Sequence, residues 1–182
     1  MKTGFLDLVK DRRSVRKYLP RPVEKENLEH CLEAARLAPS ACNAQPWKFI
    51  VVDEPELRDR VAKETFDAVL SFNRFVPQAP VLIVLVTEKP NITSQIGSVL
   101  KKREFNLIDV GIAAEHFCLQ AADEGLGTCM IGWFNEKKVK QLLQIPAGKR
   151  IGLIITLGYP DPSESKKRVR KSIEKIVSYN KY

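Results

Sequence analysis

Apolar and polar positions follow two periods along this chain. Leu28, Cys31, Leu32 and Ala35 recur at helical spacing, with Glu24, Glu26 and Glu29 near the start, where acidic groups favour a helix N-terminus. That spacing predicts a helix over 24–37, closed by the Pro39 region. Trp47–Val52 reads as a strand, and 55–70 as a helix with Leu57, Val61 and Val69 turned inward. Val81–Val86 is apolar at every position, the pattern of a strand covered on both faces. The stretch 106–124 is apolar on nearly all sides, which predicts a helix that is buried or caught in a subunit interface. Gly125 and Gly127 then suit a left-handed cap at its end. A short strand or turn over 128–134, a helix over 136–143 and a second buried strand over 151–157 complete the order. Interleaved strands and helices give an α/β (α+β) sandwich around one sheet and leave its topology open.

A length of 182 residues fits one domain with a full core, taken as 1–162, followed by a basic tail over 163–182. Hydrophobic residues at 44% and charged residues at 29% are ordinary for a soluble globular chain. The run Val81–Val86 is too short to span a bilayer. The N-terminus meets Asp7 and then Lys10–Arg13 before any signal-peptide core develops, so a cytoplasmic location is the default. Cys31, Cys42, Cys118 and Cys129 form no C-x-x-C pair, and with only His30 and His116 they make no metal cluster. Cys31 and Cys118 fall on helix-periodic apolar positions and read as core fillers. The net charge of +8 raises the question of nucleic acid, but +5 of it lies in 163–182. A tail so charged reads as a solvated segment or an arm wrapped on a second subunit, and specific nucleic-acid binding is not expected.

Four segments carry candidate chemistry. In Asp11-Arg12-Arg13-Ser14-Val15-Arg16, three guanidiniums and a hydroxyl suit a dianionic phosphate, and in extended backbone Arg12, Ser14 and Arg16 share one face. Alone, the segment reads equally as a solvated basic turn. Pro39-Ser40-Ala41-Cys42-Asn43-Ala44-Gln45-Pro46-Trp47 joins a helix to a strand and offers amides suited to a flavin or nucleobase edge, or is a plain connecting loop. Gly125-Leu126-Gly127-Thr128 through Gly132 is no dinucleotide fingerprint, although glycines let backbone approach a flat ligand. Lys149-Arg150 precedes a buried strand that ends in Gly158-Tyr159-Pro160.

Taken in order over residues 5–160, these motifs resemble the nitroreductase family. The resemblance implies a homodimeric fold with a central, mostly antiparallel sheet flanked by helices, and FMN bound at the dimer interface by both subunits. Arg12, Arg13, Ser14 and Arg16 would hold the phosphate, ribityl chain and pyrimidine edge. Pro39, Ser40, Ala41 and Asn43 would come from the partner subunit, with Gln45 nearby. Asn73 would bond the isoalloxazine ring, the Ile131 and Gly132 backbone N–H groups would reach its N5, and Lys149 and Arg150 would close over the phosphate.

The implied activity takes a hydride from NAD(P)H and reduces small acceptors such as nitroaromatics or quinones in a ping-pong cycle. No side chain is assigned a catalytic role, because the flavin carries the chemistry. Larger members roof the site with a helical excursion where this chain has only the short polar stretch 87–104, so its pocket is expected to be more open. The alternatives are a flavin enzyme of another reaction class (dehalogenation, dehydrogenation or flavin fragmentation) and, further off, a basic module that binds nucleic acid or another anion.

Overall fold

The computed structural model describes residues 4–67, 71–88, 104–164 and 168–182. Helices α1 (Phe5–Asp11) and α2 (Lys25–Arg36) precede β1 (Trp47–Val52), α3 (Pro55–Lys63) and β2 (Val81–Thr87). The long α4 (Phe105–Asp123), then β3 (Gly127–Ile131), α5 (Glu136–Leu142) and β4 (Arg150–Gly158), follow. The four strands form one sheet in the order β1-β2-β4-β3, antiparallel at each junction. The fold is α+β, with helices on both faces of the sheet.

The all-apolar β2 is buried at every residue because hydrophobic clusters cover it on both faces. Leu82, Val84 and Val86 join Val61, Val76 and Val139 on one side. Val81, Ile83 and Leu85 join Cys31, Ala35, Phe117 and Cys118 on the other. Cys31 and Cys118 are core fillers, as their spacing indicates, and burial pushes both thiols up to about 12. α4 buries Val110, Ala113, Ala114, Phe117, Cys118 and Ala121 yet leaves Leu107 and Ile108 exposed. Gly125, at φ 73°, ends it in a Schellman cap, with Leu126 N donating to Ala121 O at 2.7 Å and Gly125 N to Ala122 O at 3.1 Å. Gly127 plays no part in that cap and instead opens β3.

α3 is shorter than the 55–70 that its periodicity suggests. Its carbonyls are captured early: Thr65 Oγ1 donates to Ala62 O at 2.7 Å, and Glu64 O accepts from Asn135 N at 2.7 Å. Val69, and most of the polar stretch 87–104, lie outside the described residues. The segment after α1 adds a short parallel edge beside β3, where Ser14 pairs with Thr128 and Val15 N donates to Thr128 O at 2.8 Å. Close approach there depends on Gly127, since a Cβ on it would lie 2.6 Å from Val15 Cγ2.

Candidate functional site

The edge segment sorts its side chains by alternation. Val15 turns into the core at 2% exposure, while Ser14 and Arg16 face out. Arg12, Arg13, Ser14 and Arg16 line one hollow of about 250 Å³, and Arg168, Val169 and Arg170 of the C-terminal segment complete it. Arg168 Nη1 donates to the carbonyls of Val9, Lys10 and Arg12 at 2.7, 2.9 and 2.8 Å, which caps the C-terminal end of α1. Burial and the neighbouring charges of Arg170 and Arg12 shift the Arg168 guanidinium below its usual range. Arg12 Nε is buried with no hydrogen-bond partner among the described residues, and Glu115 Oε1 at 3.1 Å gives it charge but not alignment. The hollow is thus a crowd of cations with an unmet donor, the setting in which a multiply charged oxyanion binds.

Arg13 has a different occupation. Its Nη1 donates to Glu164 Oε2 at 3.0 Å, and the same carboxylate accepts from Arg16 N at 3.0 and 3.2 Å. Glu164 therefore pins the segment in place and draws Arg13 toward itself.

Along β3 the chain runs from Thr128, beside Ser14, to Ile131, and Gly132 then leaves the ladder. A Cβ on Gly132 would meet nothing within 4 Å, so this peptide is open to a flat ligand. From Thr128 to Gly132 extended backbone covers roughly 13 Å. Asn73, 5% exposed, donates through Nδ2 to Thr65 O at 3.0 Å and to Trp133 O at 3.3 Å. It fixes the turn that carries Gly132, with Trp133 exposed beside it.

The 38–45 loop occupies the opposite end of the sheet. Pro39, Asn43 and Gln45 are exposed, while Ser40 and Ala41 are half-buried. Cys42, Asn43 and Gln45 have φ of 52°, 52° and 46°. The loop leads into Trp47, which pairs with Thr87 and through it with Arg150, whereas Ser14 pairs with Thr128 and through it with Leu157. Arg150 and Leu157 stand at opposite ends of β4, roughly 23 Å apart along extended chain. Within one subunit, then, the loop and the arginine hollow do not meet. Nor do Lys149 and Arg150 reach the hollow. Lys149 is ion-paired with Glu88, and Arg150 Nε lies 3.4 Å from Glu136 Oε1.

A family model described as the nitroreductase family matches residues 9–159. The chain belongs to the nitroreductase family. A relative in Archaeoglobus fulgidus, provisionally named an NADH dehydrogenase/NAD(P)H nitroreductase, is 32% identical over 161 residues, covering 85% of this chain and 84% of that one. An iodotyrosine deiodinase of Thermotoga neapolitana is 26% identical and covers 97% of each. Among solved structures, an FMN-dependent nitroreductase of Clostridium difficile R20291 superposes with a TM-score of 0.80 at 31% identity, covering 97% of this chain and 99% of that one.

Within this nitroreductase frame the sequence motifs locate Arg12, Ser14 and Arg16, but they miss Arg168, Arg170 and Glu164. Those three lie about 150 positions away, in a segment whose charge reads as solvation. The available signal is the R-V-R triplet at 168–170, shortly after Gly158-Tyr159-Pro160. No helix among the described residues is long and apolar enough to cross a membrane.

Proposed function

We propose that this nitroreductase-family protein is an FMN-dependent homodimer that takes a hydride from NAD(P)H and reduces small acceptors in a ping-pong cycle. The observation that carries the reading is the arginine hollow, with an Arg12 Nε that is ion-paired to Glu115 but makes no hydrogen bond among the described residues, continued along β3 to the open Gly132 peptide. The residues present fit the cofactor. Arg12, Arg16, Arg168 and Arg170, with the Ser14 hydroxyl, would hold its phosphate, and the Ile131–Gly132 backbone would border its ring. When bound, FMN would supply the two-electron redox chemistry between nicotinamide and acceptor.

What the chain contributes is placement and charge. Arg16 sits with its guanidinium 5.9 Å from the Phe75 ring centroid, and its positive charge favours a ligand that gains negative charge on reduction. Asn73 holds the Trp133 carbonyl, so the Gly132 turn keeps its shape as ligands come and go. A second subunit is needed because the 38–45 loop lies at the far end of the sheet from the hollow of its own chain. Exposed Phe5 and Leu6 of α1, Leu107 and Ile108 of α4, and Ile173 and Ile176 of the tail give that subunit an apolar surface to cover. Of the basic tail over 163–182, Glu164 and Arg168 bind their own subunit, and the part beyond Arg170 would then lie as an arm on the partner. The cytoplasm, where NAD(P)H is made available, is the compartment this activity fits.

Reductive dehalogenation is the second reading, favoured by the near-complete overlap with the Thermotoga neapolitana deiodinase. The test is the visible spectrum of the purified protein, before and after anaerobic NADH or NADPH. Flavin bands that bleach with the nicotinamide support the first reading. Flavin that resists both nicotinamides, while the dithionite-reduced protein releases iodide from an iodotyrosine, supports the second. A colourless protein that takes up no added FMN overturns both.

A further inference from the structure

Two buried polar atoms near the 38–45 loop have no hydrogen-bond partner among the described residues: Asp109 Oδ2 and Thr87 Oγ1. Asp109 lies in α4 at 4% exposure, and its other oxygen, Oδ1, accepts from Ala41 N at 3.1 Å. Thr87 closes β2 opposite Trp47, at the exit of the loop. Both elements crowd Gly152, where a Cβ would meet Val110 Cγ1 at 3.1 Å and Thr87 Oγ1 at 3.4 Å. The helical turn that bears Asp109 and the strand end that bears Thr87 therefore converge beside the loop.

A carboxylate withdrawn from water with one oxygen unpaired is destabilising. The loop supplies a reason to keep it. Three of its residues with side chains, Cys42, Asn43 and Gln45, adopt left-handed backbone, which persists only where the surroundings over-determine it. Most of the bonds that shape the loop are internal. Asn43 N donates to Ser40 O at 3.0 Å, Ala44 N to Ala41 O at 3.0 Å, and Gln45 N to Ser40 Oγ at 2.9 Å. The Asp109–Ala41 bond instead ties this self-bonded turn to the helical layer.

We infer that Asp109 is the positioning residue of the 38–45 loop. By anchoring Ala41 N it holds Ser40, Asn43 and Gln45 in the arrangement that meets the flavin of a partner subunit. The inference rests on the flavin reading above. Its chemistry needs only an acceptor at Oδ1. The negative charge strengthens that bond, and the unpaired Oδ2 is its liability.

The experiment compares the full-length wild type with Asp109→Ala, Asp109→Asn and Val110→Ala, the last a buried neighbour on the same helix that lies outside the proposed site. FMN is titrated into flavin-free protein by fluorescence quenching, and each variant is melted thermally. Asp109→Ala is expected to bind FMN at least about tenfold more weakly, the scale of a lost hydrogen bond to a charged acceptor. Asp109→Asn keeps an acceptor for Ala41 N, so it binds within about threefold of wild type and, having shed the unpaired charge, melts no lower. Val110→Ala lowers the melting temperature and leaves FMN affinity intact.

Wild-type affinity in Asp109→Ala overturns the inference, as does equal loss in Asp109→Asn, or loss in Val110→Ala as large as in Asp109→Ala. If Asp109→Ala does not fold, Asp109→Asn decides alone on the same threefold criterion. Failure of the wild type itself to bind FMN sinks the flavin reading, whereas an indifferent Asp109→Ala in a wild type that binds removes only this inference.

Discussion

Glu164 holds Arg13 across 151 positions of sequence, with Oε2 3.0 Å from Nη1 and only 6% of the glutamate side chain exposed. The same carboxylate takes the Arg16 amide, so the bond fixes both the backbone and one guanidinium of the segment. Replacing Glu164 by Ala removes the shared acceptor of both donors. The expected loss is about 1.5–3 kcal/mol, the range for hydrogen bonds to a charged group. For a chain of this size that corresponds to a fall of about 3–12 °C in melting temperature, read by calorimetry. In a double-mutant cycle with Arg13→Ala the two changes should be non-additive by at least about 0.5 kcal/mol. Simple additivity would mean that the pair contributes nothing.

The hollow sorts the cations into two groups. Arg16→Ala and Arg168→Ala are each expected to weaken FMN binding by about 10- to 100-fold, because each would remove a charge-assisted contact to phosphate. Lys149, held by Glu88 at the other end of β4, should be replaceable by Ala with affinity unchanged within about twofold, as expected for a surface ion pair away from the ligand. Fluorescence titration at fixed ionic strength distinguishes these outcomes. A large loss in Lys149→Ala would bring that lysine back to the phosphate by way of the second subunit.

Val15 and Gly127 are in mutual contact. A methyl group on Gly127 would sit 2.6 to 3.0 Å from three carbons of the Val15 side chain. Gly127→Ala should therefore destabilise by about 1–3 kcal/mol through overpacking. Val15→Ala placed on top of it should recover part of that loss, since the smaller side chain vacates the same space. Thermal melts of the two single variants and the double variant measure the recovery.

The sequence makes legible the elements whose packing is local or two-sided. β1 has the bounds its pattern predicts, and the unbroken apolar run of β2 already implies two covering layers. α4 is legible from its apolar surround, with a one-residue shift at each end. α1 is not, because Phe5, Leu8 and Val9 mark only one turn at helical spacing, too short a pattern to set a helix apart, and none of its residues is buried in the subunit. The site is half legible for a related reason. Arg12, Ser14 and Arg16 announce themselves by their spacing, whereas Glu164 and Arg168 act through contacts that only tertiary folding creates. The early end of α3 also depends on a distant donor, Asn135 N.

Tyr18 sets an alkaline signature. Its hydroxyl lies between Thr156 Oγ1 at 2.6 Å and Val15 O at 2.8 Å, and burial drives its pKa far above the usual tyrosine range, against the lowering effect of the Thr156 bond. A group raised in the folded state contributes stability that is fully present below its unfolded pKa, about 10 for tyrosine, and is lost as pH rises beyond it. Stability should therefore decline above about pH 10 in the wild type and less steeply in Tyr18→Phe. Absorbance titration of phenolate should show Tyr18 ionising only together with unfolding.

α1 spans 7 residues, buries none of them, and exposes Phe5 at 71% and Leu6 at 65%. Helices of that length do not hold themselves together in water. Its order is borrowed, partly from Arg168 across its last carbonyls and, on the dimeric reading, partly from the neighbouring subunit. Arg12, the first cation of the hollow, is its C-cap. On the same reading, dilution that separates the subunits would unravel the handhold proposed for the cofactor before it touched the sheet, and flavin retention should fall with protein concentration as well as with the concentration of flavin.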